Sequence, residues 1–596
     1  MTNDPHARID RLLTILYGEE TAARVRPALD ARMAAFRAGA AQPAAQDGSP
    51  QTGRLTERDA ILITYGDQFR APGQPPLRTL RAFLDAHLHN AINAVHILPC
   101  FPYSSDDGFS VIDYRQVDPA LGNWDDVAAL GERYRLMFDF VANHISQHSA
   151  WFEAFRRGEA PYTAYFITVD PATDLSQVTR PRALPLLTPV ETAAGPRHVW
   201  TTFSADQIDL NYAHPQVLLE MTDVLLHYVA RGAEIIRLDA IAYVWKEIGA
   251  ACIHMPQAHA VVKLWRAVLD AVAPRVLLIT ETNVPHAENI SYFGAPLAGT
   301  GSTDEAQMVY NFSLAPLVLH TLLTGDATVL SRWAAGLQPP SPGATFFNFI
   351  ASHDGIGVMP ARGLLNEAQV QALADRAVAH GGQVSHKANP DGSTSVYELN
   401  VTLYDFLNDP AHPDPTVDVP RFLASQAILL ALAGVPGIYV HSLFGSRNCH
   451  DCFAETGRAR SLNRHKFDLA ALEASLSDPA GHAGQVFDAY RHMLRVRREE
   501  PAFHPTGGQQ ILDLGVGVFA VLRSPPDARR GRPVLCLHNV TSRPQTVRLQ
   551  ADFCAGAPCR DLLTGREVAG AKDGVSIALT GYQSCWLGLV SDLASG

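Results

Sequence analysis

Four short segments along this 596-residue chain share one form, an apolar run that ends on polar residues: MFDFVANH closing at His144, GAEIIRLDA with Asp239, VLLITETN with Glu281, and NFIASHDG with His353 and Asp354. Such unbroken apolar runs, without the alternation of a sheet that has one wet face, read as strands buried on both sides, the condition of a parallel sheet. In a closed barrel of parallel strands the C-terminal strand ends converge on one mouth. Residues far apart in sequence then become neighbours there, and carboxyl groups gathered at such a mouth point first to glycoside chemistry.

Further runs complete a set of eight: DAILITYGD, NAVHILPCF, LMFDFVANH, AEIIRLDA, RVLLITETN, QMVYNFS, TFFNFIASHD and GVPGIYVHS. The expected fold class is therefore α/β, a (β/α)8 TIM barrel with inserted subdomains, an N-terminal helical extension and a C-terminal all-β domain. Residues 1–55 hold the helical pattern RIDRLLTILYGEETAARVRPALDARMAAF and a linker, AGAAQPAAQDGSPQTG. The barrel is expected in three parts, 56–142, 206–354 and 421–500. Its insertions are a Pro-rich domain over 143–205 and a second subdomain over 355–420, and short alternating strands fill 501–596.

A hydrophobic fraction of 47% with 18% charged residues excludes disorder, and a formal net charge of −12 argues against nucleic acid and anionic membranes as partners. The run AILLALAGVPGIYV is too short to span a bilayer and contains Gly434, Pro436 and Gly437. The opening MTNDPHARIDRLLTILYGEE has no basic segment followed by a long apolar run, so a cytoplasmic protein is expected. The cysteines are read as ordinary buried thiols. Cys449 and Cys452 form a single CxxC without a second ligand pair for zinc, their redox state stays open, and Cys554 stands near Cys559.

Arg237 lies two residues before Asp239, on the same side of the strand, and an adjacent guanidinium is expected to lower the carboxyl pKa and favour a charged nucleophile. Glu281, shielded at the next strand end, is expected to have a raised pKa suited to a proton donor. His353 with Asp354 supplies a third acid and a donor. Singly, each also reads as a satisfied strand-end group, and Asp139 reads as structural.

Taken together, DFVANH, IIRLDA, the strand ending ITE, and ASHD resemble the signature segments of glycoside hydrolase family 13, the α-amylase superfamily, in order and spacing. The resemblance implies Asp239 as nucleophile, Glu281 as general acid/base and Asp354 as the transition-state stabiliser, in a double displacement that retains configuration. It places His144, Arg237, His353, Phe109 and Gln207 around the donor sugar. LITYGD, SDDGFSVID, RLDAIAYVWKE and SHDGIGV look like the sucrose phosphorylase branch, which implies that Asp106 and Arg464 close the pocket around one glucosyl unit. Phosphate needs cationic or hydrogen-bonding groups, and the resemblance offers Arg182, Tyr243 and Tyr397, with Arg180 as a neighbour.

Two departures bear on the acceptor: Asn283 and Glu398 stand where sucrose phosphorylases carry His and Gln. With Arg447, Arg458 and Arg460 near the rim and the N-terminal extension, the chain looks more like the glucosylglycerate phosphorylases of that branch. Arg447 is the expected contact for an acceptor carboxylate. The implied reaction takes a small α-glucoside, 2-O-α-D-glucosyl-D-glycerate, and inorganic phosphate to α-D-glucose 1-phosphate and D-glycerate. Rivals are a phosphorylase of sucrose, sucrose 6′-phosphate or glucosylglycerol, an α-glucoside hydrolase, and an inactive carbohydrate-binding scaffold. No organic cofactor is implied and no metal site is expected, since Asn143 alone matches a calcium ligand of some amylases.

Overall fold

The computed structural model describes residues 3–39, 55–182, 184–388, 393–550, 559–568 and 574–588, so most of the linker and Cys554 lie outside the described residues. The eight apolar runs form β1 (Ile61–Thr64), β2 (Ala94–Ile97), β3 (Arg135–Val141), β4 (Ala233–Asp239), β5 (Leu277–Thr280), β6 (Met308–Tyr310), β7 (Thr345–Asn348) and β8 (Val435–Tyr439). Each pairs in parallel with the next, and β8 closes onto β1 through Ile61 and Gly437, giving the TIM barrel. The strands are buried almost end to end. The exceptions are Arg135 and Glu234 at the starts of β3 and β4, which pair with each other at 3.0 Å on the face opposite the mouth. Gly437 is required by packing, since a Cβ there would stand 2.3 Å from the ring of Phe347 on β7.

Polar side chains do enter the barrel on adjacent strands. Asp139 of β3 faces Arg237 of β4 in register, and His96 of β2 lies beside Asp139. This buried column rises toward the strand ends that carry Asp239 and Glu281.

The N-terminal extension is helical over Pro5–Gly39, broken at Gly18, whose φ of 76° lies in the left-handed region. Ile9, Leu12, Leu13 and Leu16 before the break, and Ala22, Val25, Leu29 and Met33 after it, make one buried stripe at helical spacing. It packs on helices Pro215–Ala230 and Pro256–Val272 of the barrel, where burial of each large side chain contributes roughly 1.5–3 kcal/mol. Ion pairs Arg8–Asp270 and Arg32–Asp223, both 2.7 Å, set its register.

The segment after β3 carries the hairpin Leu187–Thr192 with Gly195–Trp200, and its strand His144–Ser146 pairs with Gln207–Asp209, two residues past the expected limit. The second insertion holds helix Glu367–Ala379 and the sheet Ile356–Gly357, Thr394–Asn400, Gln383–Ala388. The barrel's last helix already begins at Pro415, so position 420 is no boundary; Pro420 lies inside this helix.

At the C terminus six strands form one sheet, and Gln545–Leu549 pairs with Val575–Leu579. Strand Val534–Asn539 shows why it docks: Val534 and Cys536 face the main core, while Leu535 and Leu537 face the small core of the β domain. No helix among the described residues is long and apolar enough to cross a membrane.

Candidate active site

The column of buried charge ends at the three acids. Arg237 Nη1 donates to Asp239 Oδ1 at 2.7 Å and also to Asp139, which accepts from His96 Nε2 at 2.6 Å. Arg237 Nη2 stands 3.9 Å from Glu281 Oε2, and the backbone N–H of Ala240 donates to that same oxygen at 3.1 Å. To aim this N–H, Ala240 adopts φ 48°, a left-handed conformation rare for alanine and one that ties the end of β4 to Glu281. Asp354 is paired with Arg460, with His353 Nε2 at 3.5 Å and Arg464 Nη2 at 3.7 Å.

These surroundings correct one expectation. Burial pushes the Asp239 carboxyl well above the usual range and outweighs Arg237, with Glu281, Asp139 and Asp354 adding to the rise. Glu281 is raised too, by burial and then by Asp354, against the pull of Arg237. Arg237 thus treats two mutually repelling acids unequally: it bonds Asp239 at 2.7 Å and stands 3.9 Å from Glu281, so its pull toward the ionised form is stronger on Asp239. Asp354 is the opposite case. Burial raises it, but Arg460 first, then His353 and Arg464, hold it below the ordinary carboxylate range.

Around these acids lies a concave pocket of mixed polar and aromatic lining. Of the residues expected at the donor sugar, Asp106, Phe109, His144, Gln207, Arg237 and His353 line it. Phe109 stacks on His353 at 4.9 Å, and its carbonyl accepts from His144 Nε2 at 2.9 Å and from Gln207 Nε2 at 3.2 Å. Burial lowers the imidazole of His144 to about 4 and that of His353 to about 3, so both rings are neutral. The aromatic walls Phe203, Phe312 and Phe349 were not singled out in the sequence. Of these, Phe312 at the end of the QMVYNFS run and Phe349 inside the NFIASHDG segment carried a positional signal.

An outer cleft adjoins the pocket through Asp106, Pro181, Arg182, Tyr397, Glu398 and Arg460, which line both. Arg460 is the residue that the sequence left undistinguished among three rim arginines. Its side chain is 24% exposed and bonds both Asp354 and Glu398, the latter at 2.9 Å. Glu398 also accepts from the Gly355 N–H at 3.0 Å, and a Cβ on Gly355 would fall 2.4 Å from the Glu398 side chain. Asn283 lines the pocket against Gly357, with its Oδ1 buried and unpartnered.

Three residues are placed elsewhere than expected. Arg447 does not line the pocket; Asp405 holds it at 3.0 Å and its guanidinium lies over Tyr404. Arg464 lines the outer cleft, bonding the His353 carbonyl at 2.7 Å and Asp107, while Asp106 pairs with Arg182 at 3.4 Å. The turn Asp106–Gly108, with φ of 53° and 50° at its aspartates, divides the two carboxylates between two arginines. Tyr243 sits behind the wall, edge-on to Phe203 at 5.5 Å, and the exposed Arg180 donates to the Leu184 carbonyl. Asn143 is not free to hold a metal: its amide oxygen and Asp209 take the ammonium of Lys246, at 2.6 and 2.5 Å. Cys449 and Cys452 form a disulfide, whereas Cys100, Cys252, Cys536 and Cys585 are free and buried.

Residues 88–330 match the family model described as the α-amylase catalytic domain. The chain is 52% identical over 537 residues to a glucosylglycerate phosphorylase of Allomeiothermus silvanus, covering 90% of this chain and 92% of that one. A glucosylglycerate phosphorylase of Spirochaeta thermophila is 47% identical over 593 residues, 98% and 99% of the two chains. Among solved structures, sucrose 6F-phosphate phosphorylase from Thermoanaerobacter thermosaccharolyticum superposes with a TM-score of 0.70 at 24% identity, covering 88% of this chain and 98% of that one.

Proposed function

The chain belongs to the α-amylase family, and on that premise we propose that it is a retaining phosphorylase of 2-O-α-D-glucosyl-D-glycerate, releasing α-D-glucose 1-phosphate and D-glycerate. The observation that carries this reading is the arginine-lined junction above the acids. Both co-substrates are anions, phosphate in one direction and glycerate in the other, and Arg182 and Arg460 stand where the glucose pocket meets the outer cleft. Planar guanidinium forks bind such oxyanions through paired charge-assisted hydrogen bonds. A fructosyl leaving group, as in sucrose, is neutral, so there the guanidiniums would serve phosphate alone.

In the first half-reaction Asp239 attacks the anomeric carbon while Glu281 protonates the departing glycerate oxygen, giving a β-glucosyl enzyme. The shorter contact of Arg237 with Asp239 than with Glu281 suits these roles, since it favours the ionised form of the nucleophile over that of the proton donor. Asp354, kept ionised by Arg460, grips sugar hydroxyls and stabilises the developing positive charge, and the neutral His144 and His353 complete the sugar wall. Phosphate then enters past Arg182, Arg460 and Tyr397, loses a proton to Glu281 and attacks from the vacated side, restoring the α configuration. Asn283 Oδ1 and Glu398 are assigned to the acceptor hydroxyls, and Arg447 has no part. The charged product is retained by membranes, which fits a cytoplasmic enzyme.

The test is phosphorolysis of the glucosylglycerate, with consumption of phosphate followed and the product's anomeric configuration read by proton NMR. α-Glucose 1-phosphate in step with phosphate loss is the expected result. The β-anomer would overturn the double displacement, and free glucose with phosphate untouched would make the protein a hydrolase.

A further inference from the structure

The CxxC pair plays no part in the chemistry above, yet it has a third member. His465 Nδ1 lies 3.5 Å from Cys449 Sγ and 3.7 Å from Cys452 Sγ, and the three ligand atoms fall within 4.8 Å of one another. We propose that Cys449, Cys452 and His465 form a binding site for a thiophilic divalent metal ion, zinc by ligand class, open when the cysteines are reduced and closed when they are joined.

Two thiolates and an imidazole are a donor set that zinc takes, and tetrahedral bonds of about 2.3 Å to sulfur and 2.0–2.1 Å to nitrogen set nitrogen and sulfur roughly 3.6 Å apart. Both nitrogen–sulfur spacings already meet that requirement, so only the two sulfurs must separate. The backbone allows it: Cys449 caps helix His450–Thr456 with its Sγ accepting from Cys452 N–H at 3.3 Å, and the Cα atoms are 5.2 Å apart on one turn. His465 is held independently, its carbonyl bonded by Gln68 Nε2 at 2.7 Å and its ring edge-on to Phe467 at 5.2 Å. Both cysteines are half-buried and the histidine is exposed, leaving access for the ion and for water as a fourth ligand.

Occupancy follows a balanced exchange. A small dithiol passes two electrons and two protons to the Cys449–Cys452 disulfide and is itself oxidised to a disulfide; the two thiols then release two protons as the ion binds, its oxidation state unchanged. The site joins Cys449 to His465, the two ends of the segment that carries Arg458, Arg460 and Arg464. A bound ion therefore closes the base of the loop that presents these arginines to the outer cleft.

The experiment titrates the full-length chain with Co2+, reduced with a dithiol or left oxidised, and reads bound metal and thiolate-to-cobalt charge-transfer absorption. One ion per reduced chain is expected and none in the oxidised chain, with affinity weakened roughly a hundredfold by Cys452→Ser. If that variant does not fold, His465→Ala carries the same test with both sulfurs in place and should lose the tetrahedral spectrum. A reduced chain that takes up no more cobalt than a Cys449→Ser/Cys452→Ser variant overturns the proposal, as does an unchanged spectrum in His465→Ala. Neither readout depends on turnover, so the proposal fails or stands apart from the reading of the active site.

Discussion

Replacing Arg460 by alanine removes the group that holds Asp354 ionised and faces the acceptor cleft. At 24% exposure its interactions are little screened. A hydrogen bond to a charged group contributes roughly 1.5–3 kcal/mol. Asp354 keeps only His353 at 3.5 Å and Arg464 at 3.7 Å, both too long to replace the lost bond, while Glu398 retains its bond from Gly355. The loss thus falls on Asp354, and kcat/KM for the glucoside should drop by roughly 10–150-fold. The acid limb should move to higher pH, because Asp354 no longer stays far below its ordinary value and must be ionised to act. In the synthetic direction, with glucose 1-phosphate fixed, KM for D-glycerate should rise at least about tenfold, and Arg460→Lys should recover part of it by restoring charge without the fork. A kcat/KM within about twofold of wild type would refute the assignment. Equal losses with glycerate and with a neutral acceptor would leave Arg460 as a support for Asp354 and remove the argument from anionic recognition.

Arg447→Ala is the contrasting case: with Asp405 as its partner and a side chain 34% exposed, it should cost about 1 kcal/mol or less and leave both acceptor and phosphate KM values within about twofold. Kinetics decide it, and a selective rise in KM for glycerate would return the carboxylate contact to Arg447. Lys246→Met leaves Asp209 buried without its counter-ion and should destabilise the chain by roughly 3–5 kcal/mol in denaturant unfolding; a change below about 1 kcal/mol would show that the ammonium bridge is dispensable. His144 is protonated in the unfolded chain below 6.5 but stays neutral in the fold down to about 4, so its contribution is complete above 6.5 and is lost as pH falls from 6.5 toward 4. At roughly 1.4 kcal/mol per pH unit this amounts to about 3 kcal/mol. His144→Gln should therefore lose less stability between pH 7 and pH 5 than wild type, and equal losses would contradict the burial argument.

The barrel was legible because its strands are buried on both faces, so runs such as ILIT and LLIT are apolar up to their last residue and buried throughout. The three acids were legible because each follows a strand end. The arginine loop was not. Arg460 lies on the short 3-10 turn Ala459–Asn463, and Arg447, Arg458 and Arg464 lie in irregular backbone, so no periodicity says which way a side chain points; distant partners direct Arg447 (Asp405), Arg460 (Asp354 and Glu398) and Arg464 (Asp107). For the same reason Asp106 and Asp107 could not be told apart as partners of Arg464. The direction of the Asp239 shift depends on how much water the barrel excludes, which a neighbouring arginine in the sequence does not reveal. Lys246 stands far from Asn143 and Asp209 in the chain, and only the fold joins them.

One comparison separates an anion-recognising phosphorylase from its relatives: initial rates of phosphate release from α-glucose 1-phosphate with D-glycerate, D-fructose or glycerol as the acceptor. The arginine-lined junction predicts that D-glycerate gives the highest kcat/KM and that its advantage shrinks as salt screens the guanidiniums. D-fructose or glycerol outperforming D-glycerate, or a preference for glycerate indifferent to Arg460→Ala, would contradict it.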